Sequence, residues 1–173
     1  MITSAFVIPA FATLFVIIDP IALTPIFATI TQGIPTVERS RIALRACLVS
    51  FFILAAFSFF GEALMHFIGI SMPAFRVAGG ILLFLTALEM LFERRTKRRE
   101  DQAGDEPDPG HDPSVFPLAV PLLAGPGAIA SVILLSGQAP GLAGTFAVIG
   151  IVAVVLFVVF LSLQASALLE RAL

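Results

Sequence analysis

The residues with the most chemical potential are one acid and four prolines inside two apolar stretches. Asp19 lies in the segment IDPIALTPIF, followed by Pro20 and, five residues later, Pro25. The segment AVPLLAGPGAI repeats that spacing with Pro121 and Pro126. A proline inside a helix lacks a donor N–H and leaves the carbonyl four residues before it without a partner. The pattern therefore predicts interrupted helices whose free carbonyls and helix ends can bind a small polar solute or an ion.

The residues around these prolines favour a new helix start in each stretch. Asp19 before Pro20 is a typical N-cap pair, and Thr24 before Pro25 repeats it more weakly. Exposed helix ends are tolerated in a bilayer only where they line a protein cavity or a water-filled path. A zwitterionic solute would suit such a place, with its carboxylate near the N–H groups of a helix start and its ammonium near free carbonyls or Asp19. The candidate substrate- or ion-binding residues are Asp19, Pro20, Thr24, Pro25, Pro121, Gly125, Pro126, Gly127 and Ser131.

Two plainer interpretations of the same residues stay open. The prolines can simply kink packed helices, which is common in membranes, and Asp19 can be a helix cap with no further role. An acid at mid-membrane costs about 2.5–3.5 kcal/mol on insertion scales, so Asp19 is expected to face the protein interior. Glu62 and Glu89 lie nearer helix ends and are interpreted as interfacial, whereas Gly79 and Gly80 are expected to permit close helix packing.

Composition decides which elements must position these residues. Of the 173 residues, 58% are hydrophobic, against roughly 45–50% in a soluble domain, and only 13% are charged. A membrane-spanning helix needs about 20 apolar residues. The sequence therefore predicts an all-α membrane protein with five spans, with lipid as its solvent: Ala5–Ile30, Leu44–Met65, Met72–Phe92, Val115–Ser136 and Leu142–Leu169.

The distribution of charge predicts a topology. Residues 94–114 begin with five basic residues and continue as acidic sequence containing Pro and Gly, which is typical of a disordered linker. The basic cluster is interpreted as a topology anchor, with binding of anionic lipid as the alternative. With alternating spans, nine of the ten Lys and Arg residues fall on one side and only Arg76 on the other. The positive-inside rule places the loop 94–114 in the cytoplasm and the N-terminus outside.

The two proline pairs also indicate an internal repeat. Three spans separate the first copy from the second, so the second must cross the membrane in the opposite sense. This predicts residues 1–93 as a first three-span half and residues 115–173 as a second half with two spans. Inverted repeats with interrupted helices at corresponding positions are typical of secondary transporters.

Enzymatic chemistry has no visible basis in this sequence. Cys47 is the only cysteine, His66 and His111 are far apart, and no nucleophile elbow or phosphate-binding glycine loop occurs. We therefore expect no catalysis, no cofactor, no bound metal and no nucleic-acid partner. The N-terminus lacks the basic region and cleavage pattern of a signal peptide, so the first apolar stretch is expected to stay in the mature protein.

Three long segments resemble the MarC family of prokaryotic inner-membrane proteins: DPIALTPIF, FGEALMHFIGISMPAFRVAGGILLFLTALEMLF and PLAVPLLAGPGAIASVILL. The resemblance covers essentially the whole chain. It implies six transmembrane helices in two related halves and transport of small neutral amino acids. The family often has Gly-Asn before the second proline of the first pair, where this sequence has Ala22 and Leu23, so the substrate contacts of this half can differ from the family's.

The resemblance leaves two functional interpretations. The leading one is a secondary transporter of small neutral solutes, amino acids above all, coupled to a proton or sodium ion. The alternative is a non-transporting membrane protein, either a partner subunit or a truncated paralogue, because the sixth span expected of the family does not precede Leu173. An ion channel is disfavoured because no filter signature is visible. Substrate, direction of transport and oligomeric state are not defined by the sequence.

Overall fold

The described part of the chain consists of helices joined by short turns. The computed structural model describes residues 4–92, 94, 95, 97–99, 112–139 and 141–169, and within these ranges no strand occurs. The six α-helices named in the following sections, together with one kinked segment of π-helical turns, have these bounds: α1 Ser4–Ile18, α2 Pro20–Ile30, α3 Thr36–Phe67, α4 Met72–Leu91, the kinked segment Ser114–Leu123, α5 Pro126–Gln138 and α6 Gly141–Leu169.

These helices correspond to the five predicted apolar stretches, and four of the five are long and apolar enough to cross a bilayer as they stand. Helices α1 and α2 together form one apolar span, and α3, α4 and α6 are each long and apolar enough to cross a bilayer. The kinked segment and α5 correspond to the remaining predicted stretch; they are bent by 56° relative to each other, as in a broken span or a re-entrant loop. Helix α3 begins at Thr36, well before the predicted Leu44, because the polar turns preceding the apolar stretch are helical as well.

Polar contacts gather several helix ends at one end of the molecule, here called the basic end. Ser40, near the start of α3, donates a 2.9 Å hydrogen bond to Gln164 near the end of α6. Arg45 forms an ion pair with Asp112, whose Oδ1 accepts a 3.0 Å bond from the backbone N–H of Ser114. The start of the kinked segment therefore lies beside the start of α3, as alternating spans require.

The core is apolar and so is most of the outer surface. Leu14, Leu23, Leu54 and Val152, from four different helices, are completely or almost completely buried. Large aromatic and aliphatic side chains are exposed around the outside, including Phe52, Phe60, Phe84 and Phe157. Exposed apolar side chains on this scale would be unstable in water but are the expected surface of a protein in lipid.

Two glycines allow α5 to pack closely against its neighbours. A Cβ on Gly61 of α3 would lie 2.5 Å from Cγ1 of Ile133, and one on Gly79 of α4 would lie 2.9 Å from Cδ1 of Leu134. The packing role predicted for the glycine pair of the third span is therefore confirmed for Gly79. Gly80 faces open space, so the prediction was wrong at that position.

The described residues at the start of the predicted linker are helical. Residues 94, 95 and 97–99 adopt helical geometry after the end of α4, which differs from the disorder predicted for this stretch. The physical reason is that Arg95 and Arg99 are buried against α1, as shown below. Residues 96 and 100–111 of the predicted linker lie outside the described residues.

Candidate functional site

The first span is broken at Asp19, as the sequence predicted. Asp19 adopts a left-handed conformation (φ 57°, ψ 73°), and its Oδ1 accepts a 3.2 Å bond from the backbone N–H of Ala22. Pro20 occupies the first position of α2, where its missing N–H costs nothing. The N-cap prediction is therefore confirmed, and the break separates the C-terminal end of α1 from the N-terminal start of α2.

Two arginines bind the carbonyls that this break exposes at the end of α1. Arg95 donates to the carbonyls of Val16 (3.4 Å) and Ile17. Arg99 donates from Nη2 to the carbonyls of Ile17 (3.3 Å) and Ile18 (3.2 Å). Both arginines are about 5% exposed. A positive charge at a helix C-terminus is favourable, and the carbonyls freed inside the membrane are satisfied by these guanidinium groups.

Two residues of the basic cluster have contacts that were not predicted from the sequence. Arg94, Lys97 and Arg98 are exposed, but Arg95 and Arg99 are folded onto the broken span and have a structural role. The signal that could have revealed them is their spacing, because residues four apart lie on the same face of a helix.

Two acid–base pairs lie at this break. Nη1 of Arg99 is 3.7 Å from Oδ2 of Asp19, close enough for an ion pair but too far for a hydrogen bond. Arg98 forms a 2.7 Å bond with Oε1 of Glu89 on α4. Within the described part of the chain, the buried Nη1 of Arg99 and Oε2 of Glu89 have no hydrogen-bond partner. Glu89 is interpreted from the sequence as interfacial. In the structure it lies at the break, and its Oε2 can still accept a hydrogen bond.

The second break lies between the kinked segment and α5. Phe116 and Val120 have extended backbone conformations inside the kinked segment, and α5 starts at Pro126 with Gly125 as its N-cap. A Cβ on Gly125 would lie 2.4 Å from the carbonyl oxygen of Pro121, so only glycine fits there. No side chain caps the start of α5, and the N–H groups of its first turn have no partner within the helix.

The two breaks lie side by side. A Cβ on Gly127 would be 3.3 Å from Cγ2 of Ile17, so the start of α5 touches the end of α1. At their other ends, Phe6 and Gln138 line one shared cavity, so the two helices run antiparallel. The negative end of one helix dipole and the positive end of another therefore meet at the same depth.

A cavity of about 310 Å³, here called the central cavity, occupies this junction. This volume is at the small end of the range of roughly 300–1,000 Å³ usual for ligand sites. Among the described residues, its charged lining consists of three arginines and one glutamate, with Asp19 adjacent through Arg99. The lining residues used below are Ile17, Thr86, Glu89, Arg95, Arg98, Arg99, Pro121, Gly125, Pro126, Gly127 and Ala128.

The structure brings some of the predicted site residues together and separates others. Pro121, Gly125, Pro126 and Gly127 line the central cavity. Ser131 instead lines the cavity between α1, α4 and α5, and its hydroxyl bonds back to the carbonyl of Gly127 at 2.7 Å.

The remaining predicted residues belong to α2 and do not line the central cavity. Pro20 is buried, and its carbonyl accepts a 2.8 Å bond from the hydroxyl of Thr24. Pro25 lies inside α2, where its carbonyl accepts from Thr29 at 3.1 Å. Among the described residues, no cluster of His, Cys, Asp and Glu suited to a metal ion occurs.

Residues 4–173 match a family described as MarC family integral membrane protein. The chain belongs to the MarC family. This confirms the resemblance seen in the three sequence segments. No solved structure matches the chain.

Relatives of this MarC protein occur in both archaea and bacteria. The chain is 37% identical over 166 residues to the UPF0056 membrane protein MJ1677 of Methanocaldococcus jannaschii, covering 94% of this chain and 80% of that protein. It is 38% identical over 171 residues to the UPF0056 membrane protein YvbG of Bacillus subtilis, covering 98% and 81%. The UPF0056 inner membrane protein YhgN of Escherichia coli is 32% identical over 138 residues, covering 80% and 68%. These names describe membrane proteins and state no substrate.

Proposed function

We propose that this MarC-family protein is a secondary transporter of small neutral solutes, amino acids above all, that works by alternating access. The observation that carries the proposal is the meeting of two broken spans at one cavity with charged walls. Irregular backbone at membrane depth is tolerated only where it is enclosed by protein or lines a polar path. A chain with no solute to bind would have little reason to keep two such breaks together.

The depth of the cavity supports this proposal. Helix α2 has 11 residues, which corresponds to a length of ~16 Å at 1.5 Å per residue. Asp19 therefore lies ~16 Å from the end of its span, which is about half of the ~30 Å hydrocarbon thickness. Binding sites of secondary transporters are found near this depth, between interrupted helices.

Alternating access needs two structural halves that can move relative to one another. We propose residues 1–93 and 115–173 as these halves, related by an inverted repeat. The antiparallel contact of α1 with α5 at the two breaks supports the proposal, since each half would contribute one interrupted helix to the site. Motion of one half against the other would then open the cavity to either side in turn.

We also propose that the protein lies in the prokaryotic inner membrane with its basic end in the cytoplasm. Arg39, Arg41 and Arg45 lie in the first turns of α3 at the basic end, and Asp112, just before the kinked segment, is ion-paired to Arg45 there. The positive-inside rule then places the N-terminus outside and the loop 94–114 on the cytoplasmic side, from which Arg95 and Arg99 reach the first break. Asp19, as the acid of the first break, is the proposed group for coupling to a proton or sodium ion.

The experiment that tests transport is counterflow in proteoliposomes preloaded with unlabelled Gly, Ala or Ser. Uptake of labelled solute is compared between the wild type and Asp19→Asn, in which the side-chain oxygen that caps α2 is retained and the charge is lost. Glu62→Gln is the matched control, because Glu62 is an exposed acid near the end of α3. We expect uptake in the wild type and the control, and loss of uptake in Asp19→Asn.

The other results have defined meanings. Unchanged uptake in Asp19→Asn would support the transporter proposal and show that Asp19 acts as a helix cap, without a role in coupling. Absence of uptake for all three amino acids, in protein shown to be folded, would contradict the proposal and favour a non-transporting subunit.

A further inference from the structure

The central cavity contains a buried donor whose hydrogen bond is missing. Arg99 lines the cavity and is 5% exposed, and its Nη2 is engaged by the carbonyls of Ile17 and Ile18. Its Nη1 is also buried, yet forms no hydrogen bond with any described residue; the carboxylate of Asp19 is 3.7 Å away. A buried charged donor left without a hydrogen bond is costly, so a ligand that accepts from it would be stabilised.

A second set of donors lines the same cavity. The backbone N–H groups of Gly127 and Ala128 belong to the first turn of the 13-residue helix α5 and cannot find partners within it. Gly125, the N-cap, contributes no side chain. Free N–H groups and the positive end of the helix dipole together favour a negatively charged group at this place.

The charges around the cavity point to the same ligand chemistry. Arg95, Arg98 and Arg99 line the cavity, whereas the described acids at the site are Glu89 and the adjacent Asp19. Since Glu89 pairs with Arg98 and Asp19 with Arg99, one positive charge is left in excess among the described residues. Such a cavity favours a ligand that carries an anionic group.

We infer that Nη1 of Arg99 and the first N–H groups of α5 form a subsite for the carboxylate of a small solute. The inference deepens the proposed function and rests on it for its biological meaning, but binding can be measured whether or not the protein transports. A carboxylate is planar and accepts several bonds, which suits a guanidinium donor on one side and backbone donors on the other. The carboxylate can come from an amino acid or from a simple monocarboxylic acid.

Glu89 provides a way to tell whether the carboxylate comes from an amino acid or from a monocarboxylic acid. Its Oε1 is bound by Arg98, and its buried Oε2 accepts no hydrogen bond from any described residue. An ammonium group next to Oε2 would supply the missing donor. A solute carrying both groups, such as alanine, should therefore bind more tightly than propionate, which carries the carboxylate alone.

The test is equilibrium binding of labelled alanine and labelled propionate to the full chain in nanodiscs. We expect both to bind, unlabelled propionate to compete with alanine, and ethylamine, which lacks a carboxylate, not to compete. Arg99→Gln should weaken binding of both solutes at least about tenfold, which corresponds to loss of one charge-assisted hydrogen bond. Arg94→Gln is the matched control, since Arg94 belongs to the same basic segment but is exposed and does not line the cavity.

A second measurement keeps the inference testable if Arg99→Gln does not fold. Thr86 lines the cavity from α4, so Thr86→Cys in a Cys47→Ala background places a single thiol there. Alanine and propionate should slow its modification by a methanethiosulfonate reagent, whereas ethylamine should not. The control is Glu38→Cys, at an exposed position near the start of α3, whose modification should not change.

The outcomes separate this inference from the proposed transport function. Equal competition by ethylamine and propionate, or wild-type affinity in folded Arg99→Gln, would overturn the carboxylate subsite even if counterflow succeeds. Binding that weakens in Arg99→Gln, together with absent counterflow, would support the subsite and contradict the transporter. Weaker alanine binding in Glu89→Gln with unchanged propionate binding would identify an amino acid as the source of the carboxylate.

Discussion

Nη1 of Arg99 lies 3.7 Å from Oδ2 of Asp19, although the two residues belong to different spans or their extensions. Asp19 interrupts the first span, and Arg99 donates hydrogen bonds to the carbonyls of Ile17 and Ile18 at this interruption. The contact links the basic segment after α4 to the interrupted helix. It makes the integrity of the first break depend on residues that follow the third span.

Removing Arg95 should destabilise the protein. Arg95 donates to the carbonyls of Val16 and Ile17, so Arg95→Gln would remove the arginine bond to Val16 and leave Ile17 with Arg99 as its arginine donor, in an apolar environment. We expect a loss of about 2–3 kcal/mol in the free energy of unfolding, which unfolding in mixed micelles can measure. The exposed Arg94→Gln is the control and should change this free energy by less than about 0.5 kcal/mol. Equal stability of the two variants would show that the hydrogen bonds from Arg95 to the end of α1 do not contribute to stability.

Gly125→Ala should disrupt the second break. The added methyl would lie 2.4 Å from the carbonyl oxygen of Pro121, and a backbone oxygen cannot move aside without shifting the chain. We expect the yield of folded, monodisperse protein to fall severalfold, as measured by size-exclusion chromatography in detergent. Gly150→Ala is the matched control, since a Cβ on Gly150 in α6 meets nothing within 4 Å. Normal yield of Gly125→Ala would mean that the close approach to Pro121 is not required.

The contact between Gly61 and Ile133 should behave as a coupled pair. Gly61→Ala would place a methyl 2.5 Å from Cγ1 of Ile133, so we expect destabilisation of about 1–3 kcal/mol from overpacking. Ile133→Ala removes the opposing atoms, so Gly61→Ala should be less destabilising in an Ile133→Ala background. A double-mutant cycle of unfolding free energies would measure this difference. Gly80→Ala, which faces open space on α4, should be neutral or slightly stabilising. Simple additivity of the two changes would contradict direct packing.

The proposed orientation predicts which end of α3 is reachable from outside the cell. Cysteines are placed at Glu38 and His66, both exposed and at opposite ends of α3, in a Cys47→Ala background. In intact cells, an impermeant maleimide should label His66→Cys, and Glu38→Cys should react only after the cells are permeabilised. The reverse pattern would show that the N-terminus is cytoplasmic.

Much of the architecture follows from local properties of the sequence. Five apolar stretches predict five spans, because a bilayer requires about 20 apolar residues per helix and internal satisfaction of every backbone group. Asp19 before Pro20 predicts the first break, since a capping carboxylate and a missing N–H act within one turn. Gly125 and Pro126 indicate the second break for the same local reason.

Only the tertiary structure decides what surrounds these breaks. The sequence predicts that the carbonyl of Val16 is freed but does not show that Arg95 binds it, because the two residues are far apart in the chain. Glu89 and Arg99 read as interfacial or linker charges, yet folding brings both to one cavity. Thr24 and Pro25 follow the same local rules as Asp19 but lie along α2, away from that cavity. Proline and capping rules act over one helical turn, whereas the composition of a site depends on which helices pack together.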